Sequence, residues 1–183
     1  MKIRRLAYLS TIFAILLPTL VVGMVVLSYT YPTSTSGKAP EVYLAQGPNY
    51  AAANSMGLFY ASEGGSPANI LTGTKIYFNY TYGAYNEALL NVLEIVNNAG
   101  TSVKIIFDTL TLPAGVTMYI SSTANTELSY SVSNGAITIN GGTAVPTTPT
   151  SYTLSTGTYY IGFLFSNNPT SGTGTIAFHY EIS

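Results

Sequence analysis

The chain has no cysteine, and that absence removes disulfides, thiolate metal sites and a cysteine nucleophile together. Stability must then come from a core, from hydrogen bonding or from assembly. Charge is nearly as scarce. Asp, Glu, Lys and Arg make up 7% of the 183 residues, against roughly 25% in ordinary soluble domains. Tyr, at 16 copies, with Thr, Ser and Asn, covers the surface that charge usually covers. Such a surface is neutral, rich in hydroxyls and adhesive. It lacks the repulsion and the edge-blocking lysines that keep β-proteins apart, so side-by-side association is easier than average. The composition suits an assembled extracellular polymer or sheath.

The few charges are unevenly placed. Lys2, Arg4 and Arg5 precede an apolar run from Leu6 to Val26, and no charge appears between Arg5 and Lys38. A basic flank before an apolar centre is the pattern of an export signal. The run is also long enough to span a bilayer, which needs roughly 20 apolar residues, so it reads as signal peptide or anchor. Pro18 and Gly23 interrupt it, and Val21-Val22-Gly23 sets a small residue before a cut that would make Met24 the new N-terminus. The expected organisation is a signal over 1–23, an extended arm over 24–48 and a single domain over 49–183. Removing 1–23 leaves three basic side chains against seven acidic ones. That negative balance excludes nucleic acid as a natural partner, and contact with a membrane is expected only before the signal is cut.

From Asn54 onward short apolar or alternating runs, rich in β-branched and aromatic residues, are bounded by Gly, Pro, Asn and Ser clusters. The pattern predicts an all-β protein, an antiparallel β-sandwich, with strands over 56–61, 75–82, 89–97, 102–112, 116–121, 128–133, 136–140, 159–165 and 174–182. In 75–82, Ile76, Phe78, Tyr80 and Tyr82 alternate with Lys75, Tyr77, Asn79 and Thr81, which turns Asn79 outward. Asn79-Tyr80-Thr81 is an N-glycosylation sequon; Asn168-Pro169-Thr170 fails because of its proline. The Asn97-Asn98-Ala99-Gly100 turn predicts a hairpin between 89–96 and the following β-rich run. Residues 140–151, with two prolines and no period, predict a surface loop or linker.

Catalytic signatures are missing. Glu41, Glu63, Glu87, Glu94, Asp108, Glu127 and Glu181 are scattered, with no short motif for paired acid–base work, and are expected on solvated strand faces. His179, the one histidine, alternates outward with Ala177 and Glu181. It has neither a Gly-x-Ser-x-Gly elbow nor a second zinc-binding histidine to work with. Gly172-Thr-Gly-Thr and Gly141-Gly142 lack the ending and the strand-to-helix setting of a phosphate loop, and no Asp-rich calcium loop appears. The expectation is a protein without enzymatic activity, cofactor or metal.

Three stretches carry a resemblance. They are 89–107 with its Asn97-Asn98-Ala99-Gly100-Thr101 turn, Leu112-Pro-Ala-Gly-Val, and Tyr159-Tyr-Ile-Gly-Phe-Leu-Phe followed by Gly172-Thr-Gly-Thr-Ile-Ala-Phe-His-Tyr. Together they resemble the TasA/camelysin-like β-sandwich proteins and the archaeal bundling pilins similar to them, over residues 54–183. The resemblance implies a jelly-roll-like sandwich with a strand missing, a cleaved signal, and an N-terminal arm that fills the groove of the next subunit. The result would be a head-to-tail homopolymer, packed against neighbouring filaments in bundles at the cell surface. The protease label sometimes attached to camelysin-like proteins finds no support in these residues. Two segments of the arm fit a donor strand: 24–31, where Val25, Leu27, Tyr29 and Tyr31 share a face, and 41–46, where Val42 and Leu44 do. Residues 32–40, rich in Pro, Ser, Thr and Gly, read as the bridge between subunits. Two other readings stand beside this one: a membrane-anchored or S-layer-associated binding domain that uses exposed Tyr side chains on glycans, and a type IV pilin whose apolar helix forms the filament core, with a mature start near Leu6.

Overall fold

Alternation decides which side chains turn inward. In β3, Lys75–Phe78, Ile76 and Phe78 are buried while Lys75 is exposed, as a strand with one wet face requires. The computed structural model describes residues 41–61, 75–79, 87–147, 150–166 and 169–182, which belong to one compact unit, Pro40–Ser183. Two antiparallel five-stranded sheets make the sandwich. One runs in the order β1 (Val42–Gln46), β4 (Glu87–Asn97), β11 (Gly157–Phe165), β6 (Val116–Ser121), β9 (Gly142–Val145). The other runs β10 (Thr150–Leu154), β5 (Val103–Thr111), β12 (Gly172–Ile182), β3, β2 (Phe59–Ala61). The two inner faces share one core. Its aromatic centre crosses between the sheets: Phe163 of β11 lies 5.5 Å from Phe59 and 4.9 Å from Phe78, and Phe165 lies 5.7 Å from Phe78. Each such pair adds about 0.5–1.5 kcal/mol beyond the area it buries.

The sandwich is the antiparallel all-β fold that the alternation predicts, with four local differences. First, β4 and β5 are not a hairpin, because β4 pairs with β1 and β11 whereas β5 pairs with β10 and β12. The turn at 98–101 therefore carries the chain from one sheet to the other. Asn97, fully buried, forms the corner: its Nδ2 donates to the carbonyls of Thr101 (2.9 Å) and Leu154 (3.0 Å), and its Oδ1 accepts from the Ala99 amide (3.0 Å). These bonds satisfy backbone groups that a ladder would have satisfied in a hairpin.

Second, the expected loop over 140–151 contains β9 and the start of β10. Backbone pairing with β6 and β5 holds these short strands, each of which sends one buried side chain, Val145 or Leu154, into the core, so no apolar period marks them. Third, the strand expected over 56–61 shrinks to β2, preceded by a helix, α1 (Tyr50–Ser55). Three consecutive alanines favour that helix, and Gly57, at φ 70°, ends it. Tyr50 anchors it, packing edge-on against Phe59 at 5.9 Å while its hydroxyl accepts from the Ala61 amide at 3.1 Å. Fourth, β7 (Ser129–Ser133) and β8 (Ala136–Asn140) form a separate two-stranded ribbon. Its tight turn runs through Asn134 and Gly135, both at positive φ.

The Asn97 corner generates a prediction. Asn97→Ala leaves one buried and two partly buried backbone groups without their partner, and we expect the unfolding free energy to fall by about 2–4 kcal/mol, read as a lower midpoint in a denaturant titration.

Candidate assembly site

The longest strand of its sheet is only partly covered on one side. β4 has 11 residues and β1 has 5, and their register runs from Val42↔Asn97 to Gln46↔Leu93. Beyond it the chain peels away: the Gly47 amide donates to the Val92 carbonyl (3.0 Å), the Asn49 amide to the Asn91 carbonyl (3.1 Å), and Asn49 Nδ2 to the Leu90 carbonyl (2.9 Å). Gly47 allows this approach, since a Cβ there would sit 2.2 Å from the Asn91 carbonyl oxygen. Glu87, Ala88 and Leu89 pair with Phe165, Leu164 and Phe163 of β11, and among the described residues no strand lies along their other side.

The cause is a bulge. Between the pairs Leu93↔Ile161 and Leu89↔Phe163, three residues of β4 face the single Gly162. Asn91 sits in the bulge at φ 56°, a conformation that Asn tolerates better than most residues, and is 3% exposed. Its side chain is engaged at both ends: Oδ1 accepts from the Leu128 amide (2.9 Å), while Nδ2 donates to the Leu128 carbonyl (3.1 Å) and to Glu127 Oε2 (3.2 Å). One asparagine thus ties the peeling point of β1 to the root of the β7–β8 ribbon. Between them lies an open depression of about 430 Å³ lined by Asn49, Ala88, Leu90, Asn91, Leu128, Ser129 and Tyr130. Tyr130 and Val132 of the ribbon are 59% and 61% exposed. An extended apolar segment fits such a place, because it meets a strand margin and an apolar floor at once.

Val42 and Leu44 are 5% and 2% exposed, on β1 of their own chain's sheet, so the sheet begins ahead of residue 49. Val25, Leu27, Tyr29 and Tyr31 lie outside the described residues. Asn79 is exposed just past the end of β3. His179 is exposed on the outer face of β12 with its Nδ1 2.8 Å from both carboxylate oxygens of Asp108 on β5, and a Lys104–Glu181 pair at 3.4 Å shares that face. Among the described residues no group of three or more His, Asp or Glu side chains is placed to hold a metal. No protein-family model matches the chain, and no curated protein matches it. No local signal marks Asn91, which reads as a polar break in an apolar run; only pairing on both sides of β4 reveals its role.

Not every carboxylate is fully solvated. Glu94 is half-buried in mid-β4 opposite Ala45 and Tyr160, and burial raises its pKa. Burial likewise pushes up the Tyr160 hydroxyl, helped by the negative charges of Glu94 and Glu127. A carboxyl whose folded pKa is raised contributes most to stability below its unfolded pKa and loses that contribution as pH rises through the folded value. Glu94→Gln is therefore expected to raise the melting temperature at pH 7 and to leave it unchanged near pH 3, which paired thermal melts check.

Proposed function

We propose that the chain is the structural subunit of an extracellular filament, a bundling pilus or biofilm matrix fibre. It is exported, has no catalytic activity or cofactor, and polymerises when segment 24–31 of one copy lies as an added strand along the uncovered margin of β4 in the next. The observation that carries this reading is the margin itself: residues 87–89, paired with β11 on one side and, among the described residues, with no strand along the other, next to a depression lined by Ala88, Leu90 and Leu128. The sequence supplies a matching segment ahead of β1. Val25, Leu27, Tyr29 and Tyr31 alternate with Val26, Ser28 and Thr30, so one face can enter an apolar floor while the backbone completes hydrogen bonds. With β1 engaged in its own sheet, residues 32–40 form the bridge and reach at most about 30 Å. Donor and acceptor are different surfaces, so the contact is heterologous, and repetition that does not close on itself gives a fibre. The scarcity of charge supports the lateral packing of such fibres.

Two blocked variants test the reading. A chain starting at Met24 is expected to form fibres in electron micrographs. Loss of 24–31 removes the donor and Ala88→Arg obstructs the acceptor, so each variant alone stays monomeric with an unchanged β-type circular dichroism spectrum, and their mixture stops at a heterodimer. Fibres formed equally well without 24–31, or a parent chain that stays monodisperse at high concentration, would overturn it.

A further inference from the structure

The outer face of the β3–β2 edge carries a feature that assembly along β4 does not use. Tyr60 and Tyr77 are directly paired across β2 and β3. Their rings stack in parallel, with centroids 4.5 Å apart and planes 7° from each other. Tyr60 is 42% exposed. Asn79 follows Tyr77 by two residues, hence on the same face about 7 Å along the chain, and is exposed. Its backbone amide donates to the Leu58 carbonyl at 3.0 Å, which extends the β2–β3 ladder and fixes Asn79 beside the two rings. In sequence Asn79 opens the Asn-Tyr-Thr sequon. An exposed strand asparagine needs no aromatic pair next to it. A glycan-bearing one gains from it, because the C–H face of a sugar ring is attracted to the negative face of an aromatic ring.

The geometry points to Asn79 as an N-glycosylation site whose innermost sugar packs on the Tyr77–Tyr60 pair. The donor class is an oligosaccharide carried on a phosphorylated polyprenol. Asn79 Nδ2 attacks the anomeric carbon, a C–N bond forms, the C–O bond to the phosphate breaks, the amide loses one proton, and the lipid phosphate leaves. β2 is an edge strand of three residues, so a glycan beside it also screens that end of its sheet from pairing with another chain.

The inference rests on the export that the proposed function also needs, and one preparation separates the two. The protein is isolated from its native cells in a surface fraction and an interior fraction, and the tryptic peptide 76–104 is sequenced by mass spectrometry. Surface protein with sugar fragments retained on Asn79 is the expected result, and Thr81→Ala abolishes them. Surface protein with an unmodified Asn79 overturns the glycan while leaving export intact; protein confined to the interior overturns export itself. The packing is read separately. Asn79→Gln is expected to lower the melting temperature of the surface protein by roughly 2–4 °C, and this loss should vanish in a Tyr60→Ala background. An equal loss in both backgrounds overturns the aromatic platform.

Discussion

The side chain of Asn91 joins segments that backbone pairing leaves apart. A bulge in β4 turns this asparagine out of the ladder, and its amide then satisfies the backbone of Leu128 and a carboxylate oxygen of Glu127. Because the bulge ends the regular register, β1 covers only the later half of β4 and the chain departs through Gly47 into α1. Because the amide captures Leu128, the ribbon of β7 and β8 starts beside the exposed margin instead of elsewhere on the sheet. The side chains of Leu90 and Leu128 close over Gly162, so the same arrangement gives the depression its apolar floor. A residue that would be a liability inside a strand, buried and at positive φ, sets where one sheet stops.

Most of the architecture was legible because it rests on period-two alternation. β6 and β8 fall on the residues the pattern marks, 116–121 and 136–140, and β4, β5, β11 and β12 differ from it by one or two residues at an end. The missed features obey other forces. The turn after Asn97 has the composition of a hairpin loop, and nothing local distinguishes a turn within a sheet from one between sheets; the difference lies in the carbonyl of Leu154, 57 residues away. β9 is held along the β6 backbone, with Val145 the one side chain it sends into the core. The site was less legible than the fold, because a margin is defined by where a neighbouring strand ends, and that length is a tertiary property.

Composition and structure meet at the sheet edges. Among the described residues the edges of the two five-stranded sheets are β1, β9, β10 and β2, and none of these strands contains Lys, Arg, Asp or Glu. Proteins that must stay apart usually place charge there. What restrains these edges instead is brevity, three to five residues each, together with the core-facing side chains that fix their register.

The outer face of the β5 sheet gathers both lysines of the described residues, Lys75 and Lys104, with His179, Asp108 and Glu181. Glu41, Glu87, Glu94 and Glu127 belong to the β4 sheet or to segments laid on it, with no Lys or Arg among the described residues there. The sandwich is therefore electrically polar through its thickness, negative on one side and balanced on the other. Salt screens such a field within about 8 Å at physiological ionic strength. Two copies consequently approach as neutral bodies and sense which face they have met only on contact, so orientation is sorted after collision and not during approach.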